Sequence, residues 1–208
     1  GMAVDFKVTT DLGTRRIARA AFDYAKNNGK THVAVVTKAN IMKKTDGKFT
    51  AICHEVAADY PGITVDDYYI DIMTANLLKE PLREQFQVVL LPNLYGDIIT
   101  DEAAQIQGGV GTAGSANVGD RYAMFEAIHG TAPYLMSHGR GEYADPSSLI
   151  RAAGMMLAHI GYADKKVLLE KALDVCTTEK KVVLTTFTED ASAKEYTDYI
   201  IETIEKLK

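Results

Sequence analysis

The 208-residue sequence has no tryptophan, only two cysteines and five prolines, and neither a block of like charge nor a long apolar run. Cys53 and Cys176 stand far apart and outside any CxxC pattern, which gives no disulfide or metal framework and fits a reducing compartment. Both read as plain core or surface thiols. A formal net charge of −5 without a lysine-arginine block argues against a nucleic-acid partner, because tracking phosphates takes clustered cations. No stretch approaches the ~20 apolar residues of a membrane span, and the first residues lack the charged and apolar regions of a signal peptide. A cytoplasmic location with no membrane partner is expected. Gly1 ahead of Met2 reads as a remnant of tag removal, with Met2 the expected start. What is present is a chain 47% hydrophobic and 25% charged, enough apolar content for a packed core and too much for a disordered chain.

Periodicity predicts alternating helices and strands. Over Thr14 to Ala25, Ile17, Ala20, Ala21 and Tyr24 fall on one helical stripe. His32 to Thr37 (HVAVVT) is β-branched without polar alternation, as a strand buried on both faces would be. Further helices are expected around Phe49 to Ala58 and Asp71 to Lys79, with strands at Ile63 to Ile70 and Gln87 to Asn93. Helical spacing returns in DIITDEAAQIQ. This rhythm predicts an α/β fold, a mixed or parallel sheet with flanking helices. GGVGTAGSANVG, from Gly108 to Gly119, separates that helix from later elements, so a first domain is placed at 1–107 and a second at 108–208. The second reads as a short strand in MFEAIHGTAP, helices at Ser147 to Ile160 and Lys165 to Thr177, a strand at Val182 to Phe187, and a closing amphipathic helix.

Asp97 and Asp101 stand four apart at a helix start just after a buried strand, where open α/β sheets bind ligands. Two hard oxygen donors on one helical face suit Mg²⁺ or Mn²⁺, and Asp71, at another strand-to-helix junction, is a candidate third. Acidic residues near helix starts also favour the macrodipole with no metal involved. Lys38, ending a buried strand, is a candidate for desolvation and proton exchange, or else a lysine reaching to the surface. His129 could contact a nucleotide or be satisfied by nearby backbone. GGVGTAG follows a helix, whereas a dinucleotide fingerprint follows a strand, so it is a weak phosphate signal.

Taken together, TKANIMKKTDGKF (Thr37 to Phe49), PNLYGDIITDEAA (Pro92 to Ala104), GSANVGD (Gly114 to Asp120) and FEAIHGTAP (Phe125 to Pro133) resemble the isocitrate and isopropylmalate dehydrogenase family, in order and spacing. The resemblance runs from about Thr9 to the last helix, and KANIMKxTDGxF with HGTAP is closer to the isocitrate branch. It implies oxidation of a 2-hydroxy acid, isocitrate favoured, by a nicotinamide cofactor, followed by loss of a carboxylate. It further implies Mg²⁺ or Mn²⁺ held by Asp97 and Asp101, with Asp71 arriving from the other subunit of a homodimer. Lys38 matches the family lysine that reaches into the partner's site for proton transfer, and Asn40 a residue beside substrate and nicotinamide. Glu126 is implied near the nicotinamide, and His129, Gly130, Thr131 and Ala132 in the adenosine and phosphate loop.

The sequence also departs from the family pattern. Asp145 in ADPSS stands where the family carries an adenine-contacting asparagine, keeping an acceptor and losing the amide donor. Tyr134-Leu135 replaces the Lys-Tyr pair of NADP-selective members, and the later Tyr and Arg of that pocket align with Leu184 and Thr188. NAD is therefore expected over NADP, since an extra phosphate needs cationic donors. The family's N-terminal portion, with its carboxylate-clamping serine and arginines and its catalytic tyrosine, precedes the matched region. Arg15, Arg16 and Arg19 fall on helix positions instead. The chain alone is thus expected to be inactive or nearly so, and one half of a split enzyme, paired with a separate N-terminal half, is an alternative expectation. The rival expectation is a non-catalytic dimerisation or regulatory module.

Overall fold

His32–Thr37 forms β1, the central strand of a parallel three-stranded sheet of order β2-β1-β3 in the computed structural model, which describes residues 1–184 and 191–208. β2 is Thr64–Tyr69 and β3 is Val88–Leu90. The register sets His32 opposite Thr64, Thr37 opposite Tyr69, and Val33 opposite Val88. Val33 and Val35 face a core shared with α1 (Asp11–Asn27), α2 (Thr45–Ala57) and Leu90 of β3, into which Phe22, Phe49, Cys53 and Val56 are packed. Ala34 and Val36, alternating to the other face, are fully buried as well, which is why the strand carries no polar residue between His32 and Thr37.

The described residues divide into two compact units, Gly1–Ala103 and Ala104–Lys208. The first also holds α3 (Ile70–Leu77), α4 (Glu80–Arg83) and most of α5 (Asn93–Gln107), inside which the division falls. The second is built on an antiparallel hairpin, β4 (Gly114–Val118) and β5 (Ala123–Ala127), with α6 (Pro133–Ser137), α7 (Ser147–His159), α8 (Ala163–Glu179) and α9 (Ala193–Leu207). Its core joins Leu173 and Cys176 of α8 to Tyr196, Tyr199 and Ile200 of α9. A capping box starts α9, with the Ser192 hydroxyl accepting from the Glu195 amide and the Glu195 carboxylate from the Ser192 amide. Among the described residues no helix is long and apolar enough to cross a membrane.

Several local expectations change, among them that Asp97 and Asp101 stand at a helix start: α5 begins at Asn93 and has no acidic residue in its first turn. The buried stripe of α1 is Thr14, Ala18, Phe22 and Ala25, leaving Ile17 and Tyr24 about half exposed. Phe22 carries the larger apolar area inward, and Arg15 and Arg19 on the rim pair with Glu55 and Asp59. The second half of the glycine-rich stretch is a strand, β4. A Cβ on Gly114 would lie 2.5 Å from the Ala152 amide nitrogen, so the glycine lets the strand pack directly on α7. Val182 to Leu184 is irregular, and the rest of the strand expected through Phe187, with Thr188, lies outside the described residues.

Candidate active site

Because β1 and β2 run parallel with Thr37 beside Tyr69, the residues that follow them leave the same carboxyl edge of the sheet. Lys38 follows β1 and Asp71 lies in the first turn of α3, and the Lys38 ammonium donates to Asp71 Oδ1 at 2.6 Å. The Lys38 side chain is 24% exposed and its ammonium lies 5.9 Å from the centre of the Tyr69 ring. The hydrogen bond from Lys38 holds the Asp71 carboxyl below its ordinary pKa, helped by amides of the first turn of α3. A cavity of about 310 Å³ opens at the same edge, lined by Thr37, Ala39, Thr50, Tyr69 and Ile72 among others. Asn40 is exposed in the turn after Lys38.

Behind Lys38 lies a residue that sequence reading passed over. Asp46, in the first turn of α2, is completely buried, and its Oδ2 accepts the Lys38 amide at 2.8 Å. Its Oδ1 accepts from the Lys7 ammonium and from the Thr45 hydroxyl, the latter at 3.2 Å. Lys7 also donates to the Tyr95 hydroxyl at 3.3 Å and sits 4.4 Å from the centre of that ring, in the first turn of α5. Burial works to raise the Asp46 pKa, but Lys7, the Lys38 amide and Tyr95 outweigh it and hold the carboxyl below its ordinary value. Asp46 had a sequence signal only in belonging to TDGKF, because an acidic residue in a first helical turn is ordinarily exposed.

Asp97 and Asp101 are both exposed on α5, one turn apart. Among the described residues no three Asp, Glu, His or Cys side chains of one chain come together in a way that could hold a metal.

In the second unit, Glu126 lies on the exposed face of β5 and its Oε1 accepts from the side-chain Nδ2 of Asn117 on β4 at 2.7 Å. The loop from His129 to Ala132 joins β5 to α6. It is anchored by the buried Ser148 hydroxyl of α7, which accepts the Ile128 amide at 3.1 Å and donates to the Ala113 carbonyl. Ala132 has φ 47°, a left-handed conformation that costs a non-glycine residue energy and turns the chain into Pro133. His129 Nδ1 lies 2.9 Å from the Gly130 carbonyl, and Gly130 and Thr131 are exposed. Asp145 is half-buried and accepts the Ser147 amide at 2.8 Å, two residues ahead of α7's first residue. It lines a cleft of about 510 Å³ with Arg151, Asp174, Lys180, Leu184 and Tyr196, in which Arg151 pairs with Asp174 at 3.5 Å.

A family model described as isocitrate/isopropylmalate dehydrogenase matches residues 1–204. The chain is 42% identical over 208 residues to a Rickettsia prowazekii protein named isocitrate dehydrogenase [NADP], covering 99% of this chain and 42% of the relative. It is 40% identical over 205 residues to a Dictyostelium discoideum protein named as a mitochondrial regulatory subunit of isocitrate dehydrogenase [NAD], covering 98% and 56%. The crystal structure of isocitrate dehydrogenase from Methylococcus capsulatus superposes with a TM-score of 0.88 at 36% identity, over 96% of this chain and 58% of that one. The chain thus spans about half the length of the curated relatives it matches.

Proposed function

The chain belongs to the isocitrate/isopropylmalate dehydrogenase family, and on that premise we propose that it supplies the metal, lysine and nucleotide residues of an oxidative decarboxylase of a 2-hydroxy acid, isocitrate favoured, with NAD as oxidant. The observation that carries this reading is the Lys38–Asp71 pair at the carboxyl edge of a parallel sheet. In this reading one chain lends both groups to the site of a second copy, whose Asp97 and Asp101 complete the donor set. Exposed carboxylates one helical turn apart, joined by a third, are hard oxygen donors that fit Mg²⁺ or Mn²⁺. Such an ion, if bound, would supply charge to polarise a carbonyl and stabilise an enolate, and NAD would supply a hydride acceptor.

The chain's own residues take the remaining roles. Lys38 moves a proton to or from the reacting carbon or oxygen through its ammonium, which Asp71 holds in place. Asn40 borders substrate and nicotinamide, Glu126 the nicotinamide, His129, Gly130, Thr131 and Ala132 the adenosine and phosphates, and Asp145 the adenine. Support for Asp145 comes from the cleft it shares with Leu184. NAD is preferred over NADP because Tyr134 and Leu135, after the loop, bring no cation to a 2′-phosphate. The Rickettsia relative is named for NADP and the Dictyostelium relative for NAD, so the two cofactors are compared directly in the test.

That experiment adds an N-terminal half of a family member to the full chain and reads Mn²⁺-dependent NAD reduction with isocitrate. Turnover is expected with both present and little or none with either alone, and faster with NAD than NADP. A second reading, a non-catalytic regulatory module, is favoured by the name of the Dictyostelium relative. Absence of turnover under complementation would select it.

A further inference from the structure

Asp46 is a carboxylate with no solvent exposure, in contact with the backbone of the proposed proton-transfer lysine. Its two oxygens receive three donors: the Lys38 amide, the Lys7 ammonium and the Thr45 hydroxyl. An asparagine has one acceptor oxygen and would turn an N–H donor toward Lys7, so only the carboxylate takes all three. Lys38 is tied down from its other side too, since its carbonyl accepts the Ile41 and Met42 amides at 2.9 and 2.8 Å, and the Met42 carbonyl accepts the Asp46 amide at 3.0 Å. The turn from Lys38 to Asp46 is therefore closed at both ends. Lys7 then carries the connection to Tyr95, two residues before Asp97 on α5.

Stability alone is a poor reason for such a pair, because a buried ionic contact is often matched or bettered by apolar packing. We infer that the Lys7–Asp46 pair is a positioning device, which fixes the Lys38 backbone and the first turn of α5 in one register so that the lysine and the aspartate-bearing helix are presented as a unit. The inference rests on the proposed role of Lys38. The inference gives neither Lys7 nor Asp46 a contact with the reacting groups. Both act through Lys38 and Tyr95.

The test compares the full chain with Asp46→Asn, Lys7→Met, Lys7→Arg and the Asp46→Asn/Lys7→Met double variant, using circular dichroism to establish that each is folded. One readout, independent of turnover, is the Lys38 amide in nitrogen-proton correlation spectra. It is expected to move in Lys7→Met, where no group bonded to Lys38 has changed, as well as in Asp46→Asn. The other readout is kinetic, on the chain complemented by an N-terminal half. Asp46→Asn and Lys7→Met are each expected to lower kcat tenfold or more with KM for isocitrate changed less than threefold, Lys7→Arg to recover most of the loss, and the double variant to be no worse than the worse single. An unmoved Lys38 amide in Lys7→Met overturns the inference, as does unchanged kcat in a folded Asp46→Asn. A wild-type chain that never turns over refutes the proposed reaction and the positioning role that rests on it, whereas loss confined to the variants leaves the reaction standing.

Discussion

Lys38 and Asp71 meet at 2.6 Å although 33 residues separate them, because parallel pairing of Thr37 with Tyr69 brings the ends of two strands to one edge. The contact is well formed yet partly in water, with the Asp71 side chain 67% exposed. Exposed pairs contribute at most about 1 kcal/mol to stability. A proton-transfer group, by contrast, contributes about 10²- to 10⁴-fold in rate. Lys38→Met should therefore lower turnover of the complemented enzyme by at least about a hundredfold while moving the urea midpoint little. Steady-state kinetics beside equilibrium unfolding checks this. A large loss of stability with turnover intact would make Lys38 a structural residue.

Asp46 should show itself in acid. Burial raises its pKa, but Lys7, the Lys38 amide and Tyr95 together hold it below the ordinary 3.8. A carboxyl depressed by folding stabilises the protein fully above its unfolded pKa, and that contribution is lost as pH falls through the folded one. Asp46→Asn should cost about 2 to 3 kcal/mol near neutrality, somewhat below the usual cost of breaking a buried pair because Lys7 stays 27% exposed. The gap between wild type and variant should narrow as pH drops below about 4. Urea unfolding at a series of pH values measures it, and a gap independent of pH would assign the loss to packing.

How far the sequence could be read varies from residue to residue. β1 was legible because a strand buried on both faces leaves no room for polar alternation, and Val33 to Val36 have none. The buried face of α1 was not, since Ile17/Ala20/Ala21/Tyr24 and Ala18/Phe22/Ala25 both satisfy helical spacing and only packing on β1 and α2 selects the second. β4 was hidden because Gly-Ser-Ala-Asn lacks the branched residues that mark strands, and its pairing with β5 and seat on α7 are tertiary. The spacing of Asp97 and Asp101 could be read directly. The burial of Asp46 could not, because it depends on Lys7 and Tyr95, 39 and 49 residues away.

Asp145 offers a gain-of-binding test. Its Oδ1 accepts the Ser147 amide at the start of α7, and an asparagine oxygen can accept the same bond, so Asp145→Asn should leave stability within about 0.5 kcal/mol. The substitution adds N–H donors on the cleft that Asp145 shares with Leu184. One new hydrogen bond to adenine is worth about 0.5 to 1.5 kcal/mol, so NAD should bind roughly two- to tenfold tighter by calorimetry. An unchanged affinity would remove Asp145 from the adenine end of the site.

Two glycines of the second unit should respond to the same substitution with opposite sign. At Gly114 a methyl group would meet backbone of α7, 2.5 Å from the Ala152 nitrogen and 2.9 Å from its Cα, and neither atom can rotate away. Gly114→Ala should cost about 2 to 3 kcal/mol, the upper range for overpacking. At Gly154, inside α7, the added carbon would touch Leu169 and Lys166 side chains at 3.5 and 3.6 Å, ordinary contact, and alanine removes a helix penalty of up to about 1 kcal/mol. Thermal unfolding should separate the two variants clearly. Because α7 also carries Ser148, which anchors the loop running through His129, displacing β4 from α7 should weaken nucleotide binding, whereas the Lys38 amide in the other unit should not move. Nucleotide affinity left intact in Gly114→Ala would mean that the loop is held without the β4–α7 contact.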